Sequence, residues 1–175
     1  LLQYSSRQWP VASLITGQAM LIARHIGLDQ PFLTTEEQQR TWLGCFALDT
    51  LTSLHTGQKP CIRSSQVKDL LPLNTMGNDE WEPWHLQQAL LLGVGTELAE
   101  FDEPTHAISE FSQQVEILCI INDSIYSNVD GHSSEVLKQD YLSWEKKLPD
   151  HIRTYQRIEN RSLAPPSNIL HLQVL

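Results

Sequence analysis

One carboxylate in this chain could do chemistry. In the stretch TWLGCFALDTLTSLHTGQKPCI, residues 41–62, Asp49 sits between Leu48 and Leu51 in surroundings apolar enough to be buried. A general acid or base needs a shifted pKa in a cleft with a second group beside it. His55 and the acids Asp79, Glu80 and Glu82 are the available partners, and the three acids read as exposed. The competing use is structural: a buried carboxylate persists when it is hydrogen-bonded, here to a hydroxyl or to the chain that follows Gly57.

Other constellations fall short of a site. His25, His55, His85, His106, His132, His151 and His171 form neither H-x-x-x-H nor H-E-x-x-H, so they read as surface or cap residues. No G-x-S-x-G elbow is present; HTGQKP lacks the spacing of a phosphate loop, and GVGTELAE has no preceding strand and no third glycine. Cys45, Cys61 and Cys119 are odd in number and widely spaced, which points to reduced thiols in an intracellular protein, with Cys45 and Cys119 as small core residues. Trp9, Trp42 and Trp144 lie on helical stripes or at a helix start and read as packing. Trp81 and Trp84 flank Pro83 in the acidic NDEWEPWH, where they either dock a connecting segment or rim a pocket.

Twelve basic against twenty-one acidic residues give a formal charge of −9, the wrong sign for neutralising phosphates, so DNA contact is not expected of this part. The longest apolar run, near residues 14–26, is interrupted by polar residues and too short for a membrane span. A length of 175 residues fits one domain.

These residues must be positioned by helices. Ala12, Ile15, Ala19, Ile22, Ala23 and Ile26 recur at three- and four-residue spacing, predicting a helix over 11–26 that Gly27 stops. Thr34 and Glu37 have capping-box spacing and open a second helix of about 22 residues and about 33 Å, closed by Gly57 and Pro60. The short connector near Pro31 predicts an antiparallel hairpin. Counting outward from it, Asp49 falls opposite residue 13, with Ser13, Thr16 or the backbone at Gly17 as partners, whereas Arg24 should find Glu36 or Glu37.

Residues 58–78 read as a non-helical, Pro-rich strap anchored by Ile62, Val67, Leu70, Leu71 and Leu73. A short amphipathic segment follows at 86–98. A long helix capped by Thr105 buries Ile108, Phe111, Val115, Leu118, Cys119, Ile125 and Tyr126 and ends near Gly131. Another runs from Ser134 to Pro149, and an apolar helix begins near 168 and reaches the end of the sequence. With no convincing strand pattern or fixed-period repeat, the expected class is all-α: a multi-helix, bundle-like array that starts with the hairpin and carries the strap.

GQAMLIARHIGLDQ, then TTEEQQRTWLGCFALDTLTSLHTGQKPCI, then KDLLPL and DEWEPW, in that order, resembles the regulatory domain of fungal binuclear zinc-cluster transcription factors. Matching positions are Gly17, Ala19, Ala23, Gly27 and Leu28 in the first helix, and Glu37, Arg40, Trp42, Phe46, Leu48, Asp49, Ser53, Gly57 and Pro60 in the second. AISEFSQQVEILCIIND, YLSWEKKLPDHI and NILHLQVL resemble the family's later part. Thr50 and Gln58 depart from its usual arginines, and Thr41 follows a single Arg where a basic cluster is usual.

The resemblance implies that residues 1–175 are a fragment of one helical regulatory domain in a nuclear protein. Its zinc, its DNA contact and its C-terminal remainder would lie outside this span. It implies no catalytic, cofactor or metal site here, no membrane, a role in modulating transcriptional activation in response to a metabolite or partner protein, and a dimer in the full-length protein. Trp81 and Trp84 mark the effector or docking segment. Two other readings stay open: a stand-alone helical interaction scaffold, and an enzyme using Asp49 as acid or base.

Overall fold

The computed structural model describes residues 9–30, 35–82, 104–130 and 134–153. Among them are six α-helices and no strand, as the all-α expectation required. They are α1 (Trp9–His25), α2 (Glu36–Thr56), α3 (Asn78–Trp81), α4 (Ala107–Asp130), α5 (Ser134–Lys147) and α6 (Asp150–Arg153). Two 3-10 turns, Ser64–Gln66 and Lys68–Leu70, interrupt what was expected to be an extended strap. No described helix is long and apolar enough to cross a membrane. The segments expected at 86–98 and near 168, and the connector at Pro31, lie outside the described residues.

The chain divides into two compact units, one of Leu1–Leu71 with Val115–Lys146, the other of Pro72–Gln114 with Lys147–Leu175. In the first, α1 and α2 form the hairpin. Trp9 stacks on His55 with ring centroids 3.9 Å apart, and the Arg24 guanidinium lies 6.0 Å from the centre of the Trp42 ring. Both pairs are consistent with an antiparallel arrangement centred near residues 32–33. α2 starts one residue later than expected. Thr35 is its N-cap, Gln38 N–H donates to Thr35 Oγ1, and Thr35 N–H donates to Gln38 Oε1 at 2.7 Å. The box spacing is unchanged; glutamine supplies the acceptor in place of Glu37. Gly57 closes α2 at φ 69°, the left-handed cap that glycine adopts without a Cβ penalty.

The buried side of α1 differs from the expected stripe. It consists of Ala12, Thr16, Met20 and Ala23, while Ile15, Ala19, Ile22 and Ile26 face outward. α2 brings Trp42, Leu43 and Phe46 into the core, and a helix packed beside such bulk presents its small side. On α4, Ile108, Val115, Leu118 and Cys119 are buried as expected, whereas Phe111, Ile125 and Tyr126 are half-buried. Trp144 is a core residue of α5.

Candidate functional site

Asp49 is 5% exposed, and its carboxylate is engaged by the strap. Oδ2 accepts from Cys61 N at 2.7 Å and from Ile62 N at 2.8 Å. These donors exist because Gly57 ends the helix and Pro60, buried two residues before Ile62, turns the chain back with its N–H groups facing α2. Burial pushes the Asp49 carboxyl above its ordinary value, more than the Ile62 and Cys61 N–H groups and the Arg24 charge pull it down.

The hairpin count misassigned both partners. Among the described residues Asp49 bonds the strap and not Ser13, Thr16 or Gly17, and Arg24 donates through Nη2 to Cys61 O at 3.3 Å while Glu36 pairs with Arg40. Counting placed residues by their Cα positions, but helical side chains lean toward their own N-terminus. In an antiparallel pair that lean carries the long Arg24 side chain from the level of Trp42 toward Asp49, seven residues or about 10 Å along α2. The same Cys61 peptide region is thus held from both helices.

α4 supplies a second set of anchors. Asn122 is fully buried and uses its whole amide: Oδ1 accepts from Ser64 N at 3.0 Å, and Nδ2 donates to Thr50 Oγ1 at 3.0 Å and Ile62 O at 3.1 Å. Asp123 accepts from the Ser64 hydroxyl and from Lys68 Nζ at 2.8 Å. Tyr126 OH donates to Pro60 O, and Arg63 covers the Tyr126 ring at 4.6 Å. Five strap residues are therefore tied down by polar groups, with Ile62 and Val67 fully buried beneath. Thr50, where the family usually carries arginine, is itself fully buried against Asn122, a place that accepts a small hydroxyl.

The other unit contains a carboxylate that the sequence marks only as a surface acid. Glu80 is 2% exposed and caps the start of α4: Oε2 accepts from Ile108 N at 3.0 Å and Ser109 N at 2.9 Å, and Oε1 from Ser109 Oγ at 2.6 Å. His106 Nδ1 lies 3.2 Å from Oε1. The cap expected of Thr105 falls to Glu80 instead, because Thr105 Oγ1 donates to Asp79 O. Burial raises the Glu80 carboxyl, but the Ser109 hydroxyl, the Ser109 N–H, the His106 ring and the Ile108 N–H outweigh it, and Glu80 ionises below its ordinary value. Ser109 donates straight to the carboxylate with no imidazole between them, and Oε2 is taken by two N–H groups at the helix start, so this Ser, His and Glu cluster has the geometry of a cap and not of a triad.

Several of the remaining family positions belong to the same frame. Ala23, Leu28, Trp42, Phe46, Ser53 and Pro60 are buried, Gly27 and Gly57 have φ of 79° and 69°, and Arg40 bonds Glu36 at 2.6 Å. Leu48 and Gly17 are half-buried, and Glu37 and Ala19 are exposed. Trp81 is 56% exposed, donates through Nε1 to Thr75 O at 2.9 Å and meets His106 edge-on at 5.5 Å; Trp84 lies outside the described residues. The structure brings Asp49 together with Pro60 and the residues after it. His55, which only the enzyme reading would pair with Asp49, is stacked on Trp9. Cys119 is buried, with its thiol pushed up to about 12 mainly by burial, whereas Cys45 is only half-buried.

Over residues 2–160 the chain matches the Fungal specific transcription factor domain, and it belongs to that family. It is 28% identical over 129 residues to the quinic acid utilization activator of Emericella nidulans, an alignment covering 70% of this chain and 16% of that protein. The chain thus spans about one sixth of that relative's length. No solved structure matches it.

Proposed function

We propose that this chain is part of one regulatory domain of a fungal transcription factor, modulating activation without catalysing a reaction. The observation that carries this reading is the state of Asp49: the acid best placed for chemistry has its Oδ2 committed to two strap N–H groups. Zinc and DNA contact would reside in a cluster module outside these residues, and the protein would act in the nucleus. The relative is named an activator, which supports a role in tuning activation.

A recess of about 390 Å³, lined by Trp9, Pro10, Ser13, His55, Thr56 and Gln58, lies at the open end of the α1–α2 hairpin and has the volume of a small-metabolite site. The strap leaves α2 beside it at Gln58, so occupancy there could be transmitted to the anchored segment.

The test places the chain between a heterologous DNA-binding module and an activation segment and reads a reporter gene. Output should change when the Asp49 anchor is removed at equal protein level, and Trp9 fluorescence should titrate with a regulating metabolite. Output unaffected by deleting the whole chain would refute the reading.

A further inference from the structure

α1 is amphipathic in an inverted sense. Its small residues Ala12, Thr16 and Ala23 are buried together with Met20, while Val11, Leu14, Ile15, Leu21, Ile22 and Ile26 are 43–68% exposed. At 100° per residue these six form one stripe about 140° wide, with exposed Gln18 and His25 within it, centred about 140° around the helix from the buried side. Each leaves on the order of 100 Å² open, so with Gln18 and Ala19 the stripe presents roughly 700 Å², near the ~800 Å² per partner of a standard interface. An apolar patch of that size on a monomer marks an interaction surface.

Four of the six residues are symmetric end to end, while Leu14 and Leu21 lie to one side of that pairing and mirror the buried Ala23 and Thr16. Val11 and Ile26 are equidistant from the point between Gln18 and Ala19, and so are Ile15 and Ile22. Exposed Gln18 and Ala19 stand at that centre. An alanine lets two helices approach to the 8–10 Å of close packing. A glutamine amide both donates and accepts, so its own copy satisfies it across a two-fold axis. The stripe carries no carboxylate in a chain of charge −9, so two copies meeting here do not oppose like charges. Arg24 lies on the far side of the wheel, occupied by Cys61 O.

We propose that this face binds a second copy of the chain, α1 packing antiparallel on its symmetry mate, with Val11 against Ile26, Ile15 against Ile22 and Gln18 at the axis.

Sedimentation equilibrium of the 175-residue chain tests it. A reversible monomer–dimer equilibrium is expected within the ~1–100 μM range of a modest interface. Ile22→Glu should weaken it at least about tenfold through loss of an apolar contact and desolvation of the carboxylate. Adding Ile15→Lys to Ile22→Glu should restore it to within about threefold, because the antiparallel register brings lysine opposite glutamate. Circular dichroism verifies that each variant folds, as these positions are exposed. A chain that stays monomeric throughout overturns the proposal, as does a dimer indifferent to Ile22→Glu or not rescued by the pair, or binding of lipid vesicles without dimerisation.

Discussion

Asp49 allows the acceptor and the charge to be separated. One oxygen, Oδ2, receives both Cys61 N and Ile62 N. Asp49→Ala leaves the buried Ile62 N–H and the part-buried Cys61 N–H without an acceptor, at about 1–3 kcal/mol each with Cys61 at the low end, partly offset by removing a desolvated charge. A net loss of about 3 kcal/mol follows, and for a chain of this size that lowers Tm by about 6–12 °C. Asp49→Asn keeps a carbonyl oxygen able to receive both bonds and discards the charge whose burial raises the carboxyl's pKa. Its stability at pH 7 should therefore be within about 1 kcal/mol of the parent or above it. A carboxyl with a raised folded-state pKa contributes fully at pH below its ordinary value and loses that contribution as pH rises through the raised value. The parent should then match Asn at acid pH and fall behind it toward neutrality. Thermal and urea unfolding by circular dichroism, at pH values spanning the carboxyl range, measure all three chains. If Asn costs as much as Ala at pH 7, the ionised charge and not the acceptor holds the strap.

Asn122→Asp should cost about 2–4 kcal/mol by urea unfolding, since it replaces a buried donor facing Ile62 O with a second acceptor. Lys68→Ala removes an exposed ion pair with Asp123 and should cost under about 1 kcal/mol in the same assay. Gly57→Ala should lower stability by about 1 kcal/mol, a cost of backbone alone, because a Cβ there meets nothing within 4 Å while φ is 69°.

What could be read in the sequence followed how far apart in the chain cause and effect lie. The stop at Gly57, the capping-box spacing and the hairpin rest on neighbours within a few residues, and they emerged with a one-residue shift at Thr35. The α1 face was misjudged because periodicity weighs bulk: it selected Ile15, Ile22 and Ile26, whereas packing beside Trp42 and Phe46 called for Ala12, Thr16 and Ala23. Asn122 did leave a signal, since it continues the buried positions Val115, Leu118 and Cys119 and so places an amide on a core stripe. Glu80 left none. Its partner Ser109 is 29 residues away, and next to Asp79 and Glu82 it looked like one more solvated acid.

Asp49 and Glu80 use one device in two units, a single carboxylate oxygen receiving two consecutive backbone N–H groups, yet they titrate in opposite directions. The difference lies in the other oxygen of Glu80, which takes the Ser109 hydroxyl and faces the His106 ring. Those extra partners turn a desolvation penalty into net stabilisation of the anion. A depressed pKa gives stability that is present above the ordinary carboxyl value and lost as pH falls through the folded-state value, whereas Asp49 loses none on acidification. Acid should therefore open the start of α4 before it frees the strap from α2. Hydrogen exchange on native chain, corrected for the intrinsic pH dependence of the rate, should show protection falling first at Ile108 and Ser109 and later at Cys61 and Ile62. Glu80→Gln should remove that acid step while leaving exchange at the strap unchanged. Loss of protection at Cys61 and Ile62 first would mean that the extra donors do not decide which carboxylate yields to protons.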